Sequence, residues 1–463
     1  MSGATPLPKA PDILLRLFDA LPFSARLASL FGGAMQVFMV RVLGAGLTYA
    51  SMVLLARWLG AFQFGVYAYV SVLVTLLGVG LSFGLNASGL RFISTYLGRG
   101  KRARLAGFLV QSHWLVLLLS TVGALAGAGL VYAMRGFIPD YYLAPVLVGF
   151  ACVPLYSVMN QLEATARAFG WLPTAYVPTY ILRPLTLLLI VGGVVACTGH
   201  ADAVSTVVAL TAACAVATLV QAVLVYRGVR PSVSGIRPAF HTRHWLVVSL
   251  GFLMIDGFRM LLDNTDLLLI GRLLDPQSVA AYYAVIRTGN LLAFIAFSVT
   301  ALAVPTFARI HSSGTREELQ AFVMNTIRTM FWPTLAAALA LAIAGGFLLS
   351  LFGADFVAGY PALLVVLCGL VLRAASAPVE YLLTMTGHHQ DTIKVYGAAA
   401  VASIVLNLLL IPAWGIVGAA VASYTAMLAA NSCLYVLVRK RLGVSAFIGA
   451  SGTRFSFGFA KSS

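Results

Sequence analysis

The sequence predicts an all-α polytopic membrane protein. About 12 transmembrane helices form two six-helix parallel repeats, whose two lobes flank a central cavity. Three observations predict it. First, the 463 residues are 60% hydrophobic and only 10% charged, at a mean hydropathy of +0.95, whereas soluble domains are about a quarter charged. Second, the apolar stretch 246–274 is long enough to cross a bilayer yet carries Asp256, Arg259, Asp263 and Asp266 at i, i+3, i+7 and i+10, one face of a helix. A charge facing lipid at mid-membrane costs roughly 2.5–3.5 kcal/mol on insertion scales, so this face turns toward water or partner charges. Third, charges and turn residues recur at a constant offset, which marks an internal repeat.

The elements follow in order. Residues 1–32 form a cytoplasmic N-terminal segment, Pro-rich at first and then amphipathic over 13–31, where it suits the inner membrane surface. The N-lobe, 33–228, holds spans at about 33–58, 64–85, 105–132, 143–162, 174–197 and 204–226. A strongly basic connection with Arg91, Arg99, Lys101, Arg102 and Arg104 separates its second and third spans. The stretch 229–244 is rich in Pro, Gly, Ser and Arg and reads as a cytoplasmic linker. The C-lobe, 245–442, holds spans at about 246–274, 279–304, 330–352, 361–383, 393–411 and 415–438, and 443–463 is a cytoplasmic tail.

Charge sets the orientation. With the N-terminus inside, about 22 of the 30 basic residues fall on inside segments and about three on outside loops, a positive-inside bias that places both termini in the cytoplasm. The net charge of +16 therefore reads as topology rather than nucleic-acid binding. All five cysteines lie in apolar spans and read as small core hydrophobes. His113, alone in the third span, reads as a satisfied core histidine. No phosphate-binding Gly-rich loop, metal-ligand cluster or Ser/His/Asp set occurs, so the reading is of a non-enzyme without cofactor or metal.

The repeat is visible in LLARWLGAFQFGVYAYV from Leu54 and LLIGRLLDPQSVAAYYAV from Leu268. Arg57 matches Arg272, Leu59 matches Leu274, Tyr67 matches Tyr282 and Val70 matches Val285, all at an offset of about 215. Asp140 matches Asp355, and, with a small drift, Glu163 matches Glu380 and Gly170 matches Gly387.

These patterns, with TGHHQDTIKVY and IPAWGIVGAAVASYTAM…VLVRKRLG nearer the end, resemble the polysaccharide (O-antigen) flippases. These belong to the multidrug/oligosaccharidyl-lipid/polysaccharide exporter superfamily. The resemblance covers 33–442. It implies two lobes around a V-shaped cavity open to either side in turn, and a polyprenyl-diphosphate-linked oligosaccharide as cargo. It thereby implies translocation from the cytoplasmic to the periplasmic leaflet of a bacterial inner membrane for surface polysaccharide synthesis. Membrane lipids, a coupling H⁺ or Na⁺ and polysaccharide polymerase machinery are the implied partners.

A diphosphate needs cations facing the cavity, and arginine grips phosphate oxygens with two hydrogen bonds while staying charged. Arg41, Arg183, Arg259, Arg287 and Arg373 lie within spans and are the substrate-binding candidates. Arg41 and Arg287 also match the family's habit of arginines in the first two helices of a lobe. No acid lies near Arg41 in the sequence, whereas Asp263 follows Arg259 and Arg167 follows Glu163 at ion-pair spacing. Arg183, beside Pro184, has the alternative role of satisfying carbonyls freed by the proline. Asp256, Asp263 and Asp266 are the ion-coupling candidates, Asp256 the deepest and Asp266 toward the outer vestibule. Two other readings stand beside the flippase. One is a drug or metabolite exporter of the same superfamily. The other is a membrane-embedded polysaccharide polymerase or ligase, which the short outside loops disfavour.

Overall fold

The computed structural model describes residues 24–313, 315–376, 379, 382–383, 389–445 and 447–448. The matches at Glu380 and Gly387, the N-terminal stretch 1–23 and the tail beyond 448 lie outside the described residues. Every regular element among the described residues is helical, and ten helices are long and apolar enough to cross a membrane.

Two of the ten are too long for one crossing. The first, α1 (Ser24–Gly80), has 57 residues, and the last, His389–Leu442, has 54. Straight, each would run to roughly 80 Å, against about 30 Å of hydrocarbon. A left-handed glycine divides each: Gly60 at φ 73° and Gly415 at φ 57°. Only a residue without a Cβ adopts that conformation cheaply. After Gly415 the chain doubles back so tightly that a Cβ on Gly418 would lie 2.1 Å from the Leu410 carbonyl oxygen. Ten apolar helices thus make twelve candidate crossings.

A turn after α1 leads to α2 (Leu85–Gly98), so half of the expected basic connection is a helix. Its Phe92, Ile93 and Tyr96 are buried, and the Trp245 indole donates to the Tyr96 hydroxyl at 2.8 Å. Next come α3 (Arg102–Ala133) and α4 (Asp140–Ala168), then the short α5 (Leu172–Val177). The π turn Pro178–Leu182 joins α5 to α6 (Arg183–Thr198). Helix α7 (Ala203–Val233) runs through Pro231, which forfeits only one bond near the helix end. Helix α8 begins at Thr242 and ends at Leu273, so the expected linker contracts to 234–241. The C-lobe continues with α9 (Pro276–Gly289), α10 (Ala293–Ser313), α11 (Arg316–Ser350) and α12 (Tyr360–Ala374), and His389–Leu442 is α13. Asp140 opens α4, and Asp355 lies in the 3-10 turn before α12, so this repeat pair starts the fourth crossing of each half.

Packing tells the two ends of the bundle apart. At the end where Gly60 and Asp275 turn the chain, both halves share one core. Phe64 sits with its ring centroid 5.9 Å from those of Tyr283 and Phe356, and Tyr49 and Thr288 exchange a hydrogen bond at 3.1 Å. A Cβ on Gly65 would lie 1.8 Å from the Pro276 carbonyl oxygen, so the backbones touch there. At the other end there are two smaller cores, one around Phe92, Phe108 and Trp171 that also takes in Trp245 at the start of α8, and one around Phe307, Val323 and Leu434. Large apolar side chains face outward along the crossings, Ile343 at 88% exposure, as a lipid-facing surface requires. Cys152 and Cys214 are buried as expected, but Cys197, Cys368 and Cys433 lie on outer helix faces, because a thiol is as comfortable in hydrocarbon as in a core. His113 is buried and its Nδ1 donates to the Leu109 carbonyl at 2.6 Å, a satisfied core histidine.

Candidate functional site

Two adjoining cavities lie one mainly in each half, the larger in the C-lobe and the smaller in the N-lobe. The larger, about 450 Å³, is walled by α8, α9, α12 and α13. It collects Arg259, Arg287 and Arg373 from three helices, with Asp263 and Asp266 on the same wall. The smaller, about 270 Å³, is lined by Arg183, Arg287 and the tyrosines Tyr67, Tyr156, Tyr180 and Tyr283. Tyr283 and Arg287 belong to both linings, so they form the partition.

The charged stripe on α8 divides in the fold. Arg259 and Asp263 face each other at 3.9 Å with side chains 43% and 42% exposed, so their attraction is modest. Asp266 is buried at 4% exposure instead of facing an outer vestibule. Its carboxylate accepts from the Tyr282 hydroxyl at 2.6 Å and from the Leu267 amide at 2.8 Å. The turn to α9 brings Tyr282 back onto Asp266, and no spacing within α8 foretells that. Asp256 is half-buried one turn before Arg259 and is outside both linings.

Arg287 donates through Nη2 to the Tyr283 hydroxyl at 2.9 Å, and its guanidinium lies 4.6 Å from the Tyr283 ring centroid. Its Nε is buried and has no hydrogen-bond partner among the described residues. The Arg373 Nη1 has the Met427 sulfur at 3.6 Å, a weak acceptor. Among the described residues neither arginine makes an ion pair.

Arg183 owes its position to the π turn. Pro184 lacks an amide hydrogen, and the ladder widens so that the Arg183 amide reaches the Pro178 carbonyl. The bulge leaves room for α1 only because residue 44 is glycine, since a Cβ there would lie 2.6 Å from the Tyr180 Cβ. Arg41, one turn earlier on α1, stacks over Tyr176 at 4.6 Å and reaches Tyr180 at 5.8 Å. It is thus one aromatic ring removed from the smaller cavity. Glu163 pairs with Arg167 at 3.9 Å, accepts from the Thr179 hydroxyl at 3.3 Å and also lies within electrostatic reach of Arg41. The acid absent from Arg41's sequence neighbourhood is therefore supplied by α4.

Sequence reasoning missed the tyrosines. Their signal was present as helical spacing: Tyr283 is i−4 to Arg287, and Tyr176 and Tyr180 precede Arg183 by seven and three residues.

The profile of a family described as "Polysaccharide biosynthesis protein" matches residues 31–311. A relative from Haloferax volcanii, named a probable low-salt glycan biosynthesis flippase (Agl15), is 23% identical over 407 residues, 84% of this chain and 79% of its own length. The fold is similar to that of the lipid II flippase MurJ in an inward closed conformation, at a TM-score of 0.66 and 13% identity, over 88% of this chain and 87% of that one. It is also similar to an inward-facing multidrug resistance MATE family transporter of the MOP superfamily, at 0.65 and 16%, over 88% and 94%. The chain therefore belongs to the polysaccharide biosynthesis protein family and has the two-lobed, about twelve-helix fold of those transporters.

Proposed function

We propose that this protein is a flippase. It moves a polyprenyl-diphosphate-linked oligosaccharide from the cytoplasmic to the periplasmic leaflet of a bacterial inner membrane by alternating access, for surface polysaccharide synthesis. One observation carries the reading: Arg287 and Arg373 face a membrane-embedded cavity without an ion pair among the described residues. Holding a guanidinium in such a place is costly unless an anion comes to it, and a diphosphate is the anion that the planar fork grips best. Arg259 adds a third cation on the same wall. Arg183 and Arg41 extend the positive side toward the N-lobe. Asp256, Asp263 and Asp266 remain the candidates for coupling to H⁺ or Na⁺. The basic inside segments support cytoplasmic termini, and the N-lobe 33–228, linker and C-lobe 245–442 are the moving parts.

The test is complementation of a host lacking its own flippase with Arg41→Glu, Arg259→Glu, Arg287→Glu and Arg373→Glu. Surface polymer, lipid-linked intermediate and membrane insertion are all measured. Loss of polymer with accumulation of intermediate is expected for Arg287→Glu and Arg373→Glu. Normal export by both sinks the cationic-cavity reading. Asp263 and Asp266 on the cavity wall favour a second reading, export of a cationic drug or metabolite. Under that reading the swaps leave polymer intact and alter drug tolerance.

A further inference from the structure

We infer that the site is divided, the C-lobe cavity taking the diphosphate and the N-lobe cavity taking the first sugar. This rests on the flippase reading and goes beyond it in naming where each part of the cargo binds. The two linings differ in kind. The C-lobe cavity presents three arginines and two carboxylates. Among the described residues the N-lobe cavity presents no carboxylate, and its only charges are Arg183 and the shared Arg287. The rest of its polar lining is neutral, hydroxyls from Thr48, Ser51, Ser71, Thr75 and the tyrosines with the thiols of Cys152 and Cys214.

Those hydroxyls suit a polyol. Thr48, Ser51 and Thr75 spend their protons on helix carbonyls at 2.7, 2.7 and 2.8 Å, so their lone pairs face outward as acceptors for sugar hydroxyls. No hydrogen bond joins the Tyr156 or Tyr180 hydroxyl to another described residue, so both remain as donors, and their rings offer apolar faces to a sugar's C–H groups.

The internal repeat sharpens the contrast. At the offset of about 215, Thr48 stands where the C-lobe has Asp263, and Ser51 where it has Asp266. At the slightly longer offset that relates Glu163 to Glu380, Tyr156 stands where the C-lobe has Arg373. At these three matched positions the C-lobe carries a charge and the N-lobe a neutral hydroxyl. A sugar diphosphate has the same polarity along its length. Its ester phosphate lies at the junction, where Arg287 serves both cavities with a buried Nε that lacks a partner among the described residues.

The experiment compares two probes on the full chain in nanodiscs: polyprenyl diphosphate, and the same lipid bearing one sugar. The ratio of their Kd values isolates the sugar's contribution. Tyr156→Phe and Thr75→Val are expected to reduce that ratio about fivefold each, as the loss of one hydrogen bond implies. Arg373→Gln is expected to raise both Kd values and leave the ratio unchanged. If Tyr156→Phe and Thr75→Val raise both Kd values equally, or change neither, the division is wrong while the flippase reading stands. If the native chain binds neither probe, the flippase reading itself fails and takes the division with it.

Discussion

Arg57 holds the end of a helix in the opposite half of the molecule: its Nε donates to the Leu351 carbonyl at 2.6 Å and its Nη2 to the Ser350 carbonyl at 2.9 Å. The last carbonyls of a helix have no amide partners of their own and carry the negative end of the helix dipole. A guanidinium fork answers both needs, so this contact between α1 and α11 latches the lobes at the Gly60 end.

Removing that latch should favour opening there. Arg57 is exposed, so the contribution is modest, about 1 kcal/mol or a fivefold change in the open population. Spin labels at Phe137 and Val357, both exposed near this end, would report it as a longer distance population in Arg57→Ala. An unchanged distance distribution removes the latch from the account.

Gly65→Ala tests the same closure from the packing side. The new Cβ would meet the Pro276 carbonyl oxygen at 1.8 Å, and a backbone atom cannot swing aside as a side chain can. Overpacking of this kind costs typically 1–3 kcal/mol. The detergent-solubilised variant should melt several degrees lower, with the labelled pair shifted in the direction that Arg57→Ala gives. A native melting temperature would mean that α1 and α9 have slack.

Asp266 and Tyr282 should behave as a unit. Tyr282→Phe leaves a buried carboxylate oxygen without its hydroxyl donor, at a cost of about 1–3 kcal/mol. Adding Asp266→Asn removes the charge and should recover part of that loss. A double-mutant cycle on thermal stability measures the coupling. Strict additivity would show that the 2.6 Å contact carries no stability.

Asp202 supplies a pH-dependent term outside the membrane. It caps α7 by accepting the Ser205 amide at 2.9 Å, and the Ser205 hydroxyl closes the capping box at 3.2 Å on the Asp202 amide. Hydrogen bonding from Ser205, its side chain before its backbone amide, holds the Asp202 carboxyl below the usual carboxylate range. A depressed folded-state pKa means that the cap's stability is present above the unfolded pKa and lost as pH falls through the folded value. Asp202→Ala should therefore cost about 0.5–2 kcal/mol near neutral pH, and the gap to the native chain should close in acid. A gap in melting temperature that does not narrow as the pH is lowered argues against the cap.

Parts of the site were legible because they depend on neighbours along a helix. The Glu163–Arg167 and Arg259–Asp263 pairs follow from i, i+4 spacing, and both form at 3.9 Å. Other parts were not, because they join distant segments. Tyr282 closes on Asp266 only after the turn at Asp275, and Tyr176 meets Arg41 only because α5 packs on α1. The repeat aligns Tyr67 with Tyr282, yet one lines a cavity and the other is buried against a carboxylate.

The sequence by itself determined that this is a membrane protein of about twelve helices and that charge lies inside it. Hydrophobic length, the cost of charge in lipid and the period of the helix are properties of local composition. Gly60 and Gly415 were needed to turn apolar runs into hairpins, and glycine at such a point is readable too. Only the tertiary structure decided which charges share a cavity and which are neutralised. It drew Arg259, Arg287 and Arg373 together from three helices, buried Asp266 under Tyr282 and gave Arg41 the field of Glu163. The reason is physical: a helix fixes the face a side chain takes, but the neighbour it meets there is set by how the helices pack.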